Sequence, residues 1–256
     1  MKILCIGDVC GHIGCDFLSR HLPEIKRNEN IGLTIVNGEN SADGNGMTPV
    51  SVNKLFDCGA DIITAGNHTY RRREIYDFLD ETDRVIRPAN FPDSAPGNGI
   101  AYVDFGYTTA AVINIIGTVY MEPIDCPFKS ADQMIEKAQE NGAKIIIVDF
   151  HAEASGEKRA MGFYLDGRVS AIFGTHTHVQ TTDAQLLPQG TGYITDIGMT
   201  GPINSVLGIK PSLAIAKMKD KLPVRFELDD GECMLNGCIF EIDKSGQTTS
   251  VKTVKI

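Results

Sequence analysis

The stretch Phe173-Gly174-Thr175-His176-Thr177-His178-Val179-Gln180 holds two imidazoles two residues apart. In an extended segment such a pair faces one site. The run before it, Val169–Phe173, reads as a buried strand closed by a glycine, so the histidines fall just past a strand's carboxyl end. Open α/β sheets place their ligands there. Four other apolar runs end in the same manner: at Asp8, at Glu39 and Asn40, at Asn67 and His68, and at His151. Any one of these could be an ordinary polar loop residue. Together, on a sheet whose strand ends converge, they supply more ligands than one ion needs. Carboxylate, imidazole and amide oxygen suit borderline divalent ions such as iron, manganese or zinc. The set contains no thiolate, which argues against a structural zinc. A carboxylate able to bridge two ions suggests a dinuclear site, the kind that activates water and clamps a phosphoryl group.

The elements that must position these residues can be followed along the chain. Lys2–Ile6, Leu33–Val36, Asp61–Ala65, Val85–Arg87, Ile100–Phe105, Thr109–Ile116 and Lys144–Val148 read as strands. The fifth and sixth of these form a hairpin around Gly106-Tyr107. Helices are expected at 16–27, 49–58, 72–79, 131–140 and 152–163. A second hairpin joins Gln185–Leu187 to Tyr193–Thr195. The tail alternates in the strand manner at Val224–Leu228, Cys233–Ile242 and Thr248–Ile256. Ser41–Met47 and Gly198–Pro202 read as loops. No repeat or linker interrupts the chain, so a single domain over residues 1–256 is expected.

Composition narrows the function classes. With 42% hydrophobic and 22% charged residues the chain is an ordinary globular one, and no apolar run reaches membrane-spanning length. A net charge of −9 disfavours bulk nucleic-acid or anionic-membrane binding. It leaves a phosphate substrate open, because bound ions can dominate a site's charge. Seven scattered cysteines without a Cys-x-x-Cys pair point to a reduced, cytoplasmic setting. Cys5, Cys10 and Cys15 read as small buried thiols. Gly7-x-x-x-Gly11-x-x-Gly14 does not match the dinucleotide fingerprint. His12 and His21 read as surface residues, and Arg71-Arg72-Arg73 as either a phosphate lure or a solvated helix start. Glu153, two residues after His151, is a candidate for orienting a ligand.

Gly7-Asp8, Gly66-Asn67-His68, the isolated His151 and Gly174-Thr175-His176-Thr177-His178 occur in the order of the calcineurin-like metallophosphoesterases, which the chain resembles. The fuller resemblance is to their YmdB-type branch. It rests on Asn37-Gly38-Glu39-Asn40, Ala65–Thr69, Arg87–Pro92, Asp149–Ala154 and Thr195-Asp196-x-Gly198-Met199-Thr200-Gly201-Pro202, and it spans nearly the whole chain. The resemblance implies a four-layer α/β/β/α sandwich and a two-metal phosphodiesterase for 2′,3′-cyclic nucleotides, with iron the first expectation and manganese or zinc the alternatives. It also implies the ligand sets. Asp8, Glu39, Asn40 and His178 would hold one ion. Glu39 would bridge to a second, held by Asn67, His151 and His176. His68 would stay free as general acid.

Three departures from the wider family stand out. Its Asp-x-His is Asp8-Val9-Cys10 here, its bridging Asp is replaced by Glu39, and its Glu after the free histidine is Thr69. In physical terms, a metal-bridging hydroxide would attack phosphorus while His68 protonates the departing alkoxide. A metal amidohydrolase is a weaker alternative, since strand-helix units are too few for an eightfold barrel. A metal-binding regulator with little turnover, acting through a protein or RNA partner, is a further alternative. A homo-oligomer is compatible with the sequence.

Overall fold

The computed structural model describes residues 1–256. The chain opens with β1 (Lys2–Ile6), the two-residue β2 (Asp8–Val9), α1 (Gly11–Glu29) and β3 (Ile31–Asn37). Next come α2 (Pro49–Asp57), β4 (Ile62–Thr64), a 3₁₀ turn (Arg73–Ile75), α3 (Tyr76–Glu81) and β5 (Val85–Ile86). The middle comprises β6 (Ile100–Asp104), β7 (Thr109–Ile116), α4 (Pro127–Glu140), β8 (Ala143–His151), α5 (Ser155–Leu165) and β9 (Ala171–Thr175). The last part holds β10 (Gln185–Leu186), β11 (Gly192–Ile194), β12 (Met199–Pro202), α6 (Pro211–Asp220), β13 (Cys233–Ile242) and β14 (Thr248–Lys255).

Two sheets result. One has the order β2-β12-β13-β1-β3-β4-β5, with β14 also paired to β13; the other has the order β10-β11-β9-β8-β7-β6. Side-chain alternation shows how they stack. Ile3 and Cys5 of β1 join Val112, Ile147 and Phe173 in a core between the sheets. Leu4 and Ile6 turn the other way, onto Leu18, Leu22 and Leu55 of α1 and α2. In β8, Ile146, Val148 and Phe150 face Ala131 and Ile135 of α4 and Met161 of α5. Strands that send alternate residues into two buried cores must lie between layers, which is why these runs are almost wholly apolar. The architecture is the expected four-layer α/β/β/α sandwich.

Several local readings change. α1 starts at Gly11 rather than Asp16, because the amide of Gly11 already docks on the Asn40 carbonyl. The helix expected at 72–79 divides into the 3₁₀ turn and α3. Gly198–Pro202 is not a loop; most of it is β12, inserted between β2 and β13. Val224–Leu228 is not a strand, since Leu228 alone makes a bridge, to Ile209. α6 is an addition to the expected helices: it buries only Ala214, so no apolar periodicity marks it. No helix is long and apolar enough to cross a membrane.

Candidate metal centre

All the chemistry-bearing residues named from the sequence meet at one place. β2 carries Asp8, the end of β3 leads into Glu39 and Asn40, the end of β4 into Asn67 and His68, β8 ends on His151, and β9 leads into His176 and His178. The expected geometry of the last pair is overturned. His176 and His178 have φ of 96° and 63°, so the segment is a left-handed turn and not an extended strand. Their rings consequently serve different neighbours. His176 Nδ1 lies 3.1 Å from His151 Nε2, and His178 Nε2 lies 3.5 Å from Asp8 Oδ1.

Contacts link the rest. Glu39 Oε2 is 3.4 Å from His151 Nε2, and Asn67 Oδ1 is 3.0 Å from the same nitrogen. Asn40 Nδ2 donates to Glu39 Oε1 at 3.0 Å and sits 3.4 Å from His178 Nε2. Gly66 has no room for a side chain, since a Cβ there would come within 2.3 Å of His151 Nε2 and 2.4 Å of Glu39 Oε2.

The hydrogen-bond pattern behind His151 sets its tautomer. Thr175 Oγ1 donates to Asp149 Oδ1 at 2.7 Å and therefore accepts from His151 Nδ1 at 2.9 Å. That leaves the Nε2 lone pair aimed at Asn67 Oδ1 and Glu39 Oε2, an encounter of acceptors that a cation or a proton must relieve. Asp8 Oδ1 makes the same demand, for it is fully buried and accepts no hydrogen bond. Glu39, His151 and His176 bring ligand atoms within 4.8 Å of one another. The donor set and the orphaned carboxylate oxygen thus fit divalent ions. The cavity over the cluster encloses about 240 Å³, and no lysine or arginine lines it to neutralise a phosphate.

The local titration follows the same charges. Burial raises the Glu39 carboxyl, but His151 beside it more than reverses this and leaves it well below the usual range. Asp8 is likewise raised by burial and brought below its usual value by His178. For His178 burial acts downward, while Cys10 and Asp8 pull its imidazole well above the ordinary value. For His151 burial also acts downward, and Glu39 lifts it above. His176 is pushed down to about 3 by burial and by His151.

His68 stands at the edge. Its Nδ1 is 3.1 Å from Glu39 Oε1 and 2.9 Å from Asn40 Oδ1, and its backbone N–H donates to Glu39 Oε2. Those contacts orient the ring, in place of a residue at Thr69. Nε2 has no protein partner, and the side chain lines the cavity. Glu153 is half exposed and reaches His176 Nε2 at 3.1 Å. Cys10 is buried with its sulfur 3.6 Å from His178 Nδ1. His12 pairs with Asp43 at the exposed surface, and Arg72 holds the backbone of the 43–45 loop.

Two supporting groups escaped the sequence reading. Asn37 and Asp149, both fully buried, form the network under His151, and burial pushes Asp149 up to about 6. A carboxylate inside the most apolar strand of the chain was the available signal. Lys158 and Asp196, 2% and 1% exposed, form a buried ion pair of 2.6 Å. Lys158 also donates to the Thr175 carbonyl, and Asp196 accepts from Thr177 N and Oγ1 and from Gly198 N. This pair holds the left-handed turn of the two histidines. Nothing in the sequence pattern distinguishes Lys158 from a surface lysine on α5.

Two stacked sheets with ligand side chains at converging strand ends define the calcineurin-like metallophosphoesterases, a fold that implies divalent metal ions. A 5′-nucleotidase precursor from Thermus thermophilus shares this fold with a TM-score of 0.60 at 13% identity, over 100% of this chain and 54% of that one. The particular family follows from closer comparisons. The YmdB-like protein family matches residues 4–254. A Bacillus subtilis (strain 168) protein named 2′,3′-cyclic-nucleotide 2′-phosphodiesterase is 46% identical over 256 residues, 100% of this chain and 95% of that protein. A crystal structure of a novel phosphatase from Mycoplasma pneumoniae superposes with a TM-score of 0.94 at 32% identity, covering 100% of this chain and 93% of the other. The chain belongs to the YmdB-like family, and it is a phosphoesterase.

Proposed function

We propose that the chain, acting as one domain over residues 1–256, hydrolyses 2′,3′-cyclic nucleotides with two bound divalent metal ions, iron being the first candidate. The observation that carries this reading is the convergence of the His151, His176 and His178 nitrogens with the Asp8 and Glu39 carboxylates under a cavity that no lysine or arginine lines. The name of the Bacillus subtilis relative supports the substrate class. Asp8, Glu39, Asn40 and His178 would hold one ion, and Glu39 with Asn67, His151 and His176 would hold the second. Bound there, the ions supply Lewis acidity, making a water nucleophilic near neutral pH and neutralising charge on the phosphoryl oxygens.

The chain's own residues do the rest. Thr175 and Asp149 keep His151 in the tautomer that presents Nε2. Glu39 and Asn40 hold His68 Nδ1, so that the unpartnered Nε2 can give a proton to the leaving oxygen. A water oxygen adds to phosphorus and gives up one proton to solvent, the bond from phosphorus to O2′ breaks, O2′ takes the His68 proton to leave a 3′-monophosphate, and His68 Nε2 is reprotonated from solvent.

The test is His68→Ala. The variant is expected to keep its metal and to lose roughly 10²–10⁴-fold in kcat on a 2′,3′-cyclic nucleotide. An aryl phosphodiester leaves as a phenolate and needs the proton donor less, so its loss is expected to be much smaller. Equal losses on both substrates would remove His68 from the role of leaving-group acid. Cleavage of neither substrate by metal-loaded wild type would favour a metal-binding regulator.

A further inference from the structure

The cavity has two unlike halves. Its floor is the polar cluster of Glu39, Asn40, His68, His176 and His178. Its other wall is apolar and comes from one segment, residues 203–230, which contributes Leu207, Ile209, Phe226 and Leu228. None of these four takes part in the chemistry derived above.

The segment is built to hold that wall in place. Val206 and Ile209 exchange backbone hydrogen bonds of 2.9 and 3.0 Å across Leu207-Gly208. Both central residues are left-handed, with φ of 56° and 88°, so this is a tight turn of the kind that favours Asn or Gly. The far arm of the segment pairs onto it. Lys210 N donates to Glu227 O at 3.0 Å, Asp229 N donates to Gly208 O at 2.9 Å, and Ile209 bridges Leu228. Leu228 then seats on Gly11, where a Cβ would come within 2.2 Å of its methyl, and Gly208 lies over Cys10. The strap is therefore tied to Cys10 and Gly11 at the start of α1, directly after β2 and its Asp8. Yet Leu207 and Phe226 stay 47% and 49% exposed at the cavity. A leucine kept in a disfavoured backbone conformation, with its side chain half open to solvent beside a candidate metal centre, is a feature that folding alone does not call for.

We propose that Phe226 and Leu207 form a nucleobase subsite, with the base stacking on the Phe226 ring and the Leu207 side chain closing its flank. The proposal deepens the functional reading above and rests on it. A cyclic ribose phosphate is polar throughout except for the faces of its base, so the base is the part of the substrate that gains from an apolar wall. At about 240 Å³, polar floor included, the cavity suits a small molecule and not a polypeptide or a folded RNA. It is continuous with the floor where the phosphate reacts, which places the wall within one nucleoside of that floor. Stacking on one aromatic ring tolerates any base, so broad base preference is expected.

The experiment compares adenosine 2′,3′-cyclic phosphate with 1-O-methylribose 2′,3′-cyclic phosphate on metal-loaded protein. The second substrate has the same reacting bond and no base. In Phe226→Ala, KM for the nucleotide should rise roughly five- to hundredfold relative to any change for the methyl riboside. Phe226→Tyr should restore it, which loss of fold would not allow. Leu207→Asn gives the turn a residue it favours, so it should not lower Tm while it raises KM for the nucleotide. Parallel KM changes on both substrates would overturn the subsite. If wild type turned over neither compound, the phosphodiesterase reading itself would fall. Calorimetry would then decide the subsite: adenosine 3′-monophosphate binding about tenfold tighter than ribose 3-phosphate to wild type, but not to Phe226→Ala, supports it. Equal affinities, or no binding, overturn it.

Discussion

Lys158→Met tests whether the buried ion pair behind the histidine turn is what shapes the metal centre. In the native chain Lys158 Nζ donates to Asp196 Oδ2 at 2.6 Å and to Thr175 O at 2.7 Å, with both side chains almost wholly out of water. Methionine matches the aliphatic stem but leaves the Asp196 carboxylate buried with only Thr177 and Gly198 as donors. Removing one member of a buried pair costs about 3–5 kcal/mol, chiefly because the other charge is stranded. At about 2–4 °C per kcal/mol for a chain of this size, Tm should fall by about 6–20 °C. Part of that energy now holds His176 and His178 at positive φ, a conformation worth about 1–3 kcal/mol of strain per residue. With the pair broken the turn can relax, and metal affinity should drop by about 10–100-fold, as for other residues that orient ligands indirectly. The double variant Lys158→Met/Asp196→Asn removes both charges, so its stability loss should be smaller than the sum of the single losses. Denaturant unfolding at unchanged m-value and metal titration at a temperature where every variant is folded supply the two readouts. A stability loss below about 1 kcal/mol would refute the stranded-charge argument. A large loss with unchanged metal affinity would show that the pair supports the fold without shaping the site.

Elemental analysis of saturated protein should find about two transition-metal ions per chain, and Glu39→Gln should lower both occupancies because it removes the shared charge; a reproducible value near one would end the dinuclear reading. Metal affinity should rise with pH, because His151 and His178 have imidazole pKa values raised by neighbouring acidic groups and must lose those protons to act as ligands. In the metal-free protein the sign runs the other way for stability. The contribution of these raised imidazoles is fully present below the ordinary value of about 6.5 and is lost as pH rises through the folded value. Calorimetry in buffers of different ionisation enthalpy should detect proton release on metal binding, and an affinity flat between about pH 6 and 8 would count against it.

How much of this was legible in the sequence depended on whether a residue's neighbours along the chain revealed its role. Strands such as Lys144–Val148 are apolar because both their faces are covered, and a polar residue directly after such a run marks a strand end. That logic found Asp8, Glu39, Asn40, Asn67, His68, His151, His176 and His178, and the structure gathers all eight. It failed for the shape of the histidine turn, because the contacts that brace its Thr175 and Thr177 come from Lys158 and Asp196, some twenty residues distant on either side. It failed again for β12, whose strand character exists only because β2 and β13 flank it.

The strap is the most instructive failure. Its far arm, Val224–Leu228, alternates as a strand would, yet Phe226 and Leu228 line a cavity and no pairing forms there beyond the Leu228 bridge to Ile209. Periodicity reports burial against a layer. Alternation alone does not separate a cavity wall from a strand face, whereas a polar residue directly after an apolar run marks each strand end that feeds the cluster. The polar cluster at the strand ends is therefore readable from the sequence, though not the groups that support it from below. The apolar wall that faces it becomes visible only when the strap is seen lying across Cys10 and Gly11, at the start of α1.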